Sequence, residues 1–430
     1  MACGVDAVRL WFAGMLLLAP VEGRATDYSA DPKVLIASGQ YDDALVLLDR
    51  RLAADSRDVE ALFLTGIIAL RQGRSKVAIL NFRRALDIQP KATRIRLEFA
   101  RALYDARRDE ESDYNFRLAI ADHPPAPVIA TIIRFRESLR ARRAWRFNVS
   151  LAVVPDSNIN AASNTDRIDI LGIPFNIDPA SRARSGVGWV ASGDTSLRLR
   201  RDSKMPIVLA AYGRMVRYGD ASFDDVFVGG EAGPEATVSG GRLRFSATGL
   251  RRWYGSKPLL TSVGSRLHYD KIVSGKLGVE ASLAARHFVY DRRPDYDGWE
   301  YEVAGAVNQT LSSTALGFAA ATVQRTVANN RAESNWLSGL RLGARKEIGW
   351  GLRPQISLNL ERQVNDTRNP LFGKRRRDWR IEASAELYKR DWNVAGFAPS
   401  LKLTWTQNRS TIAVYDQKRL RFEAGVEKAF

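Results

Sequence analysis

The residue types that most often do chemistry are scarce in this chain, and their spacing is unhelpful. There are three histidines and one cysteine in 430 residues. His123 falls at the end of a helical stretch. His268 and His287 fall on neighbouring extended runs, but alternation points His268 inward and His287 outward, so they do not converge. A zinc site needs several such ligands on one centre. A hydrolase needs Ser/His or Asp/His groups gathered at one rim. Neither constellation is written here, so no enzyme, metal or cofactor is expected. What is abundant is charge of both signs on one parity of the extended runs, as at Arg242, Arg244, Glu300, Glu302, Arg380 and Glu382. Opposite charges interleaved this way ladder across neighbouring strands. They predict a polar interior partly filled by its own side chains.

Those charges need strands to hold them, and the strands dominate the sequence. From Trp145 onward the pattern has a period of two. Trp145, Phe147, Val149, Leu151 and Val153 alternate with Arg146, Asn148, Ser150 and Ala152. Fourteen such runs fit between 145 and 430: 145–155, 185–200, 205–219, 222–235, 242–254, 258–270, 276–291, 298–311, 314–328, 332–347, 352–366, 376–390, 396–409 and 414–430. The clearest sets Leu352, Pro354, Ile356, Leu358 and Leu360 against Arg353, Gln355, Ser357, Asn359 and Glu361. The last sets Leu420, Phe422, Ala424 and Val426 against Arg421, Glu423 and Glu427. One face suits hydrocarbon and the other water. In lipid such strands must pair on both sides, which a closed barrel achieves. A large soluble β-sandwich is the alternative.

Composition agrees with a barrel. Net charge is +17, mean hydropathy is −0.25, and no apolar run reaches the ~18 residues of a membrane helix. Alternation keeps a barrel's mean hydropathy low. Nine of the ten tryptophans follow residue 144, several near strand ends, as in interfacial girdles. An even strand count leaves both barrel ends on the periplasmic side. Short links at 201–204, 271–275, 349–351 and 391–395, against long ones at 156–184, 291–297 and 367–375, give the same orientation. The closing strand is expected to pair with the first, forming a seam of Phe147, Val149 and Leu151 against Leu420, Phe422 and Ala424. Phe430 is expected at the membrane boundary. Lys428 departs from the aromatic residue that often stands at that position in outer-membrane barrels.

Two segments precede the strands. Residues 1–25 read as a secretory signal, with an apolar core at 10–19 and small residues at Gly23 and Ala25. Cys3 would leave with it, so no disulfide is expected. Residues 28–143 read as helical and repeat every 34 residues. Gly66 recurs as Ala100, Ala78 as Ser112, Phe82 as Phe116, Ala85 as Ala119 and Pro90 as Pro124. A helix pair repeating at this period is the tetratricopeptide signature, and 65–90 resembles that family closely. That resemblance implies a partner-binding concave face using Phe63, Ile67, Arg71, Arg101, Tyr104 and Asp105. Residues 127–143 are expected to cap the array, with Ile129, Ile132, Ile133 and Phe135 on the stack and the arginines in water.

A short tetratricopeptide array followed by about fourteen strands resembles the surface lipoprotein assembly modifier family. The stretch Val154-Pro155-Asp156-Ser157-Asn158-Ile159-Asn160-Ala161 looks like that family's segment after its first strand. The resemblance implies an outer-membrane translocator of a Gram-negative bacterium, its helical domain in the periplasm. The client would be a surface lipoprotein or secreted protein. Membrane lipid, lipopolysaccharide and the barrel-assembly machinery are the other implied partners. Basic runs at Arg182–Arg184 and Lys374–Arg377 suit solvent or lipopolysaccharide. No nucleic-acid motif is present. A polysaccharide exporter would call for a longer repeat array and a lumen of one sign. A passive porin would leave the repeats without a task.

Overall fold

The computed structural model describes residues 31–142, 145–200, 203–394 and 396–428; the expected signal segment lies outside them. The helices are α1 (Pro32–Ala37), α2 (Tyr41–Ala54), α3 (Val59–Arg71), α4 (Ser75–Ile88), α5 (Thr93–Asp105), α6 (Asp109–Ile120) and α7 (Ala126–Arg142). The starts of α2, α4 and α6 are 34 residues apart, as are those of α3 and α5. The repeating small residues explain the packing. A Cβ added at Gly66 would lie 2.5 Å from the Phe82 ring, so α3 and α4 approach this closely only with glycine there. Ala78, Ala85, Ala100 and Ala119 are fully buried. Ser112 takes the small position in the next repeat and donates to the Ala100 carbonyl at 2.8 Å. Arg51, in a degenerate position of the first repeat, pairs with Asp58 at 2.8 Å and Glu60 at 2.9 Å.

The capping helix α7 departs from expectation on its charged side. Phe135 stacks on Phe116 with centroids 5.2 Å apart, and Ile132 is buried. Arg136, however, does not face water. It is buried, 2.7 Å from Asp113 and donating to the Gly275 carbonyl at 3.4 Å. Ile129 also lies by Gly275. The cause is that α7 is packed between the repeat stack and a turn of the strand region.

The strands are β1 (Trp145–Asp156), β2 (Arg167–Ile170), β3 (Ile173–Asn176), β4 (Gly186–Leu199), β5 (Ile207–Tyr218), β6 (Asp225–Val238), β7 (Gly241–Tyr254), β8 (Lys257–Ile272), β9 (Leu277–Tyr290), β10 (Gly298–Ser312), β11 (Ala315–Ala328), β12 (Asn335–Lys346), β13 (Leu352–Arg368), β14 (Arg375–Lys389), β15 (Phe397–Ser410) and β16 (Gln417–Lys428). All but β2 and β3 form one closed antiparallel barrel of fourteen strands, with β1 pairing β16. Each expected run is a strand. Closure excludes the sandwich, since no sheet edge remains. The outward parity is exposed and apolar all round, as at Leu151, Leu209, Val263, Val303, Leu340, Ile356, Leu403 and Phe422. A continuous apolar belt of this kind is tolerated in lipid and not in water. The hairpin β2–β3 was not foreseen. It turns at Leu171 and Gly172, with φ of 53° and 87°, and a leucine at positive φ is not a turn signal.

Leu151 lies opposite Val426 in the β1–β16 ladder. The double variant Leu151→Cys/Val426→Cys is expected to form an intramolecular disulfide, read as a mobility shift on a non-reducing gel. Cys3 is the only native cysteine. Absence of the bond under oxidant would contradict this closure.

Candidate functional site

Three arrangements stand out: a groove on the helical array, the junction between array and barrel, and the outer end of the seam. The groove holds about 750 Å³ between α1, α3 and α5. Phe63, Ile67, Arg71, Arg101 and Asp105 line it, together with Ile36, Leu64 and Leu70. Its floor is apolar and its rim carries both signs. Lys33 sits 2.6 Å from Glu60, and Arg101 sits 3.7 Å from Glu98. Arg94 lies over the Phe63 ring at 5.2 Å. Such a surface can bury the apolar side of an extended or helical segment while its rim reads charge.

Tyr104 is the exception among the expected groove residues. It lies under α7, with its hydroxyl 2.8 Å from Ser138, Phe135 edge-on at 5.0 Å and Arg142 over its ring at 3.8 Å. The helix that ends the array covers the last concave position. Arg94, Glu98 and Lys33 join the groove instead. Arg94 and Glu98 share the helix face of Arg101, and Lys33 lies one repeat before Ile67, which was a usable signal.

The array docks on the barrel's short-turn end, which is the periplasmic end. Arg96 of α5, 1% exposed, donates to Glu347 in the β12–β13 turn at 3.1 Å. Arg390, after β14, reaches Glu347 at 3.3 Å and Asp87 of α4 at 3.5 Å. Burial pushes the Glu347 carboxyl up, but Arg390, Arg96 and Arg353 more than offset this and hold it below the usual range. Arg353 of β13 lies 5.6 Å from the Tyr114 ring of α6 and 4.4 Å from that of Tyr388. Lys276 donates to the Ala121 carbonyl at 3.0 Å and sits 2.9 Å from His123.

Inside, Glu110, Asp113 and Arg117 of α6 and Arg136 of α7 share one cavity of about 730 Å³ with lumen residues such as Arg242, His268 and Glu280. The helices therefore form the inner wall of the lumen's periplasmic chamber. The lumen wall carries ion pairs between neighbouring strands. Arg242 meets Asp270 at 3.0 Å, Arg244 meets Glu231 at 3.4 Å, and Arg286 bridges Glu300 at 2.6 Å and Glu302 at 2.8 Å. His287 points out against Trp299 while His268 lines the chamber, so these two do not converge.

The outer end of the seam is tied by the stretch that carried the family resemblance. Asp156 accepts both bonds from Arg419 Nε at 2.9 Å and one from the Tyr218 hydroxyl at 2.8 Å. Ser157 N donates to the Leu420 carbonyl at 3.0 Å, and Leu420 N donates to Ser157 Oγ at 2.8 Å. Asn158 Nδ2 reaches the Lys418 carbonyl at 3.1 Å. Asn160 donates to the Arg182 carbonyl at 2.7 Å and accepts from Arg184 N at 3.1 Å. Ile159 packs over Gly186 within the buried apolar group of Val154, Val190 and Tyr218. The segment thus fastens β1 to β16 and to the approach to β4.

The other seam residues are placed as follows. Ala424 lies opposite Val153, and Phe422 pairs with Leu403 on β15. Phe147 and Val149 pair with Thr195 and Gly193 on β4. Among the described residues the β1–β16 pairs begin at Ser150↔Glu427. The Lys428 ammonium donates to the Phe147 carbonyl at 2.8 Å and lies 5.1 Å from that ring. Phe430 falls outside the described residues.

Comparison with known proteins follows this division of the chain. Residues 33–93 match the tetratricopeptide repeat family. The chain is 26% identical over 397 residues to surface lipoprotein assembly modifier 1 of Neisseria meningitidis serogroup B, covering 86% of this chain and 76% of that protein. It is 23% identical over 392 residues to the surface lipoprotein assembly modifier of Moraxella catarrhalis, covering 85% and 72%. It is 21% identical over 384 residues to the hemophilin secretion modulator of Acinetobacter baumannii, covering 84% and 77%. Residues 145–430 match the family described as surface lipoprotein assembly modifier. That match takes in every strand of the barrel, and the chain belongs to the surface lipoprotein assembly modifier family.

Proposed function

We propose that this protein is an outer-membrane translocator, delivering a client lipoprotein or secreted protein from the periplasm to the cell surface. In this reading residues 1–25 direct export, 28–143 meet the client and 145–430 form the conduit. Insertion uses the barrel-assembly machinery. The belt contacts membrane lipid, and the outer rim contacts lipopolysaccharide. One observation supports the reading: a groove with an apolar floor and a charged rim sits on an array docked over the mouth of a closed membrane barrel. A passive pore has no use for such a groove. The relatives' names span a lipoprotein and a secretion role, so both client types fit.

The groove is the part to test. Ile67→Glu with Arg101→Glu puts acid on its floor and reverses part of its rim. Loss of one buried apolar anchor and one rim contact is expected to lower client capture more than about tenfold. Surface display should fall in step while the barrel inserts normally. Deleting 28–127 should abolish display altogether. If display survived that deletion while an exported polysaccharide disappeared, the exporter would replace this reading.

A further inference from the structure

The outer rim of the barrel carries arginines on its lipid-facing parity, and three of them are neutralised within the protein. Arg217 lies 3.1 Å from Asp224, Arg251 lies 2.8 Å from Asp291 and Arg325 lies 2.6 Å from Asp366. One patch on β13 to β16 differs. Register sets Arg362 opposite Trp379 and Trp379 opposite Arg409, in one row across three strands. Arg377 lies one dyad further out, opposite Val364, and Lys418 lies one dyad further in, opposite Gln407. All four cations are exposed. They share parity with the outward residues Leu360, Ile381, Trp405 and Leu420, just below them on the same strands. Arg362 rests over the Trp379 ring at 4.8 Å. Among the described residues no acid lies within ion-pair distance of any of the four. Two acids on the same strands or the adjoining loop are engaged elsewhere: Asp416 accepts from Ser410 N, and Asp378 pairs with Arg376 at 2.6 Å.

Unneutralised cations at the margin of hydrocarbon are costly unless an anion meets them. A fork of guanidinium donors suits a phosphate monoester, which it can engage through two parallel bonds. An indole between the arginines gives a flat apolar surface at headgroup depth. We infer that Arg362, Arg377, Arg409 and Lys418 form a binding site for the phosphorylated disaccharide headgroup of lipid A in the outer leaflet. The site faces away from the periplasmic array and anchors the seam side of the barrel, β13 to β16, to the lipid around it. The inference rests on the outer-membrane placement and is independent of the client.

The test uses the full-length chain folded in detergent, with lipid retained on the barrel measured by native mass spectrometry. The probes are bis-phosphorylated lipid A, the same lipid with phosphates removed, phosphatidylglycerol and inorganic phosphate. Wild type is expected to hold bis-phosphorylated lipid A and to release it neither to phosphatidylglycerol nor to free phosphate at equal concentration. R362Q/R377Q/R409Q/K418Q is expected to bind about a hundredfold more weakly, and R362Q or R409Q alone about fivefold. The single variants lose no hydrogen-bonded protein partner, so they keep the test alive if the quadruple variant does not fold. R217Q/R251Q, on the acid-paired part of the rim, should bind like wild type. Undiminished binding by folded single and quadruple variants would overturn the site. So would equal binding of dephosphorylated lipid A, or displacement by phosphatidylglycerol or free phosphate. Loss of client display with lipid binding intact would count against the translocator reading and leave this one standing.

Discussion

Glu347→Ala is expected to release the helical array from the barrel without unfolding either part. Among the described residues Glu347 is the one acid that both Arg96 and Arg390 address; its removal leaves the buried Arg96 guanidinium without an acid and Arg390 with Asp87 and Asp391 alone. Stranding buried charge in this way costs about 3 kcal/mol. At a factor of ten per 1.4 kcal/mol, the undocked fraction rises roughly a hundredfold. Spin labels at Leu80 and Val273, both exposed, should report a single narrow distance in wild type and a broad distribution in the variant. An unchanged narrow distribution would show that the junction is held elsewhere. The acid dependence has a definite sign. Docking holds the carboxyl below its ordinary value, so the docked state binds fewer protons than the undocked one. Its contribution is complete above about pH 4.3 and fades as pH falls through the lowered value. The Glu347 contribution to docking should therefore be constant between about pH 5 and 8.

Asp156→Ala is expected to be the most damaging single change to the barrel itself. Arg419 and Tyr218 both spend their polar groups on this carboxylate, and the Asn158 amide donates to it at 2.9 Å. Removing it leaves a half-buried arginine unpaired and unties the outer end of the β1–β16 seam. The loss is on the order of 3–5 kcal/mol. For a barrel of this size that corresponds to a fall on the order of 10 °C in the unfolding transition. The shift between folded and heat-denatured migration on a gel reads it directly. Serine 157 and Asn158 also tie the seam, so Asp156→Asn, which keeps one acceptor oxygen, should fall between wild type and alanine. A transition unmoved by alanine would mean that the backbone ladder alone sets barrel stability.

The sequence disclosed whatever depends on a local period. Alternation marked each barrel strand, because a membrane wall favours apolar residues on one parity through the hydrocarbon. The 34-residue recurrence marked the array, because Gly66 and Phe82 must meet at each helix pair. What it did not disclose lies between distant residues. Arg96 and Glu347 are 251 positions apart, and neither carries a pattern that names the other. Arg136 looked like a solvent residue because the turn at Gly275 that covers it belongs to another part of the chain. Tyr104 fitted the repeat's concave position until α7 folded over it. The stretch 154–161 was recognisable as a family segment, yet its role as a clasp is set by partners on β16, β5 and the loop before β4.

The groove and the lumen now stand in a definite relation. The groove on α3 and α5 is separated from the lumen by α6 and α7, which wall its periplasmic chamber. Delivery of a client from that groove through the barrel, as proposed above, would need the array to move aside. Ile120→Cys with Gly275→Cys tests that requirement. A Cβ added at Gly275 would sit 2.8 Å from Ile120 Cγ2, close enough for a disulfide to clamp α6 to the β8–β9 turn. The measurement is surface display of an epitope-tagged surface lipoprotein or secreted protein co-expressed with this one, before and after reduction of the clamp. Display should stop when the disulfide is complete and resume on reduction. Display at the wild-type rate through a fully clamped protein would contradict the account.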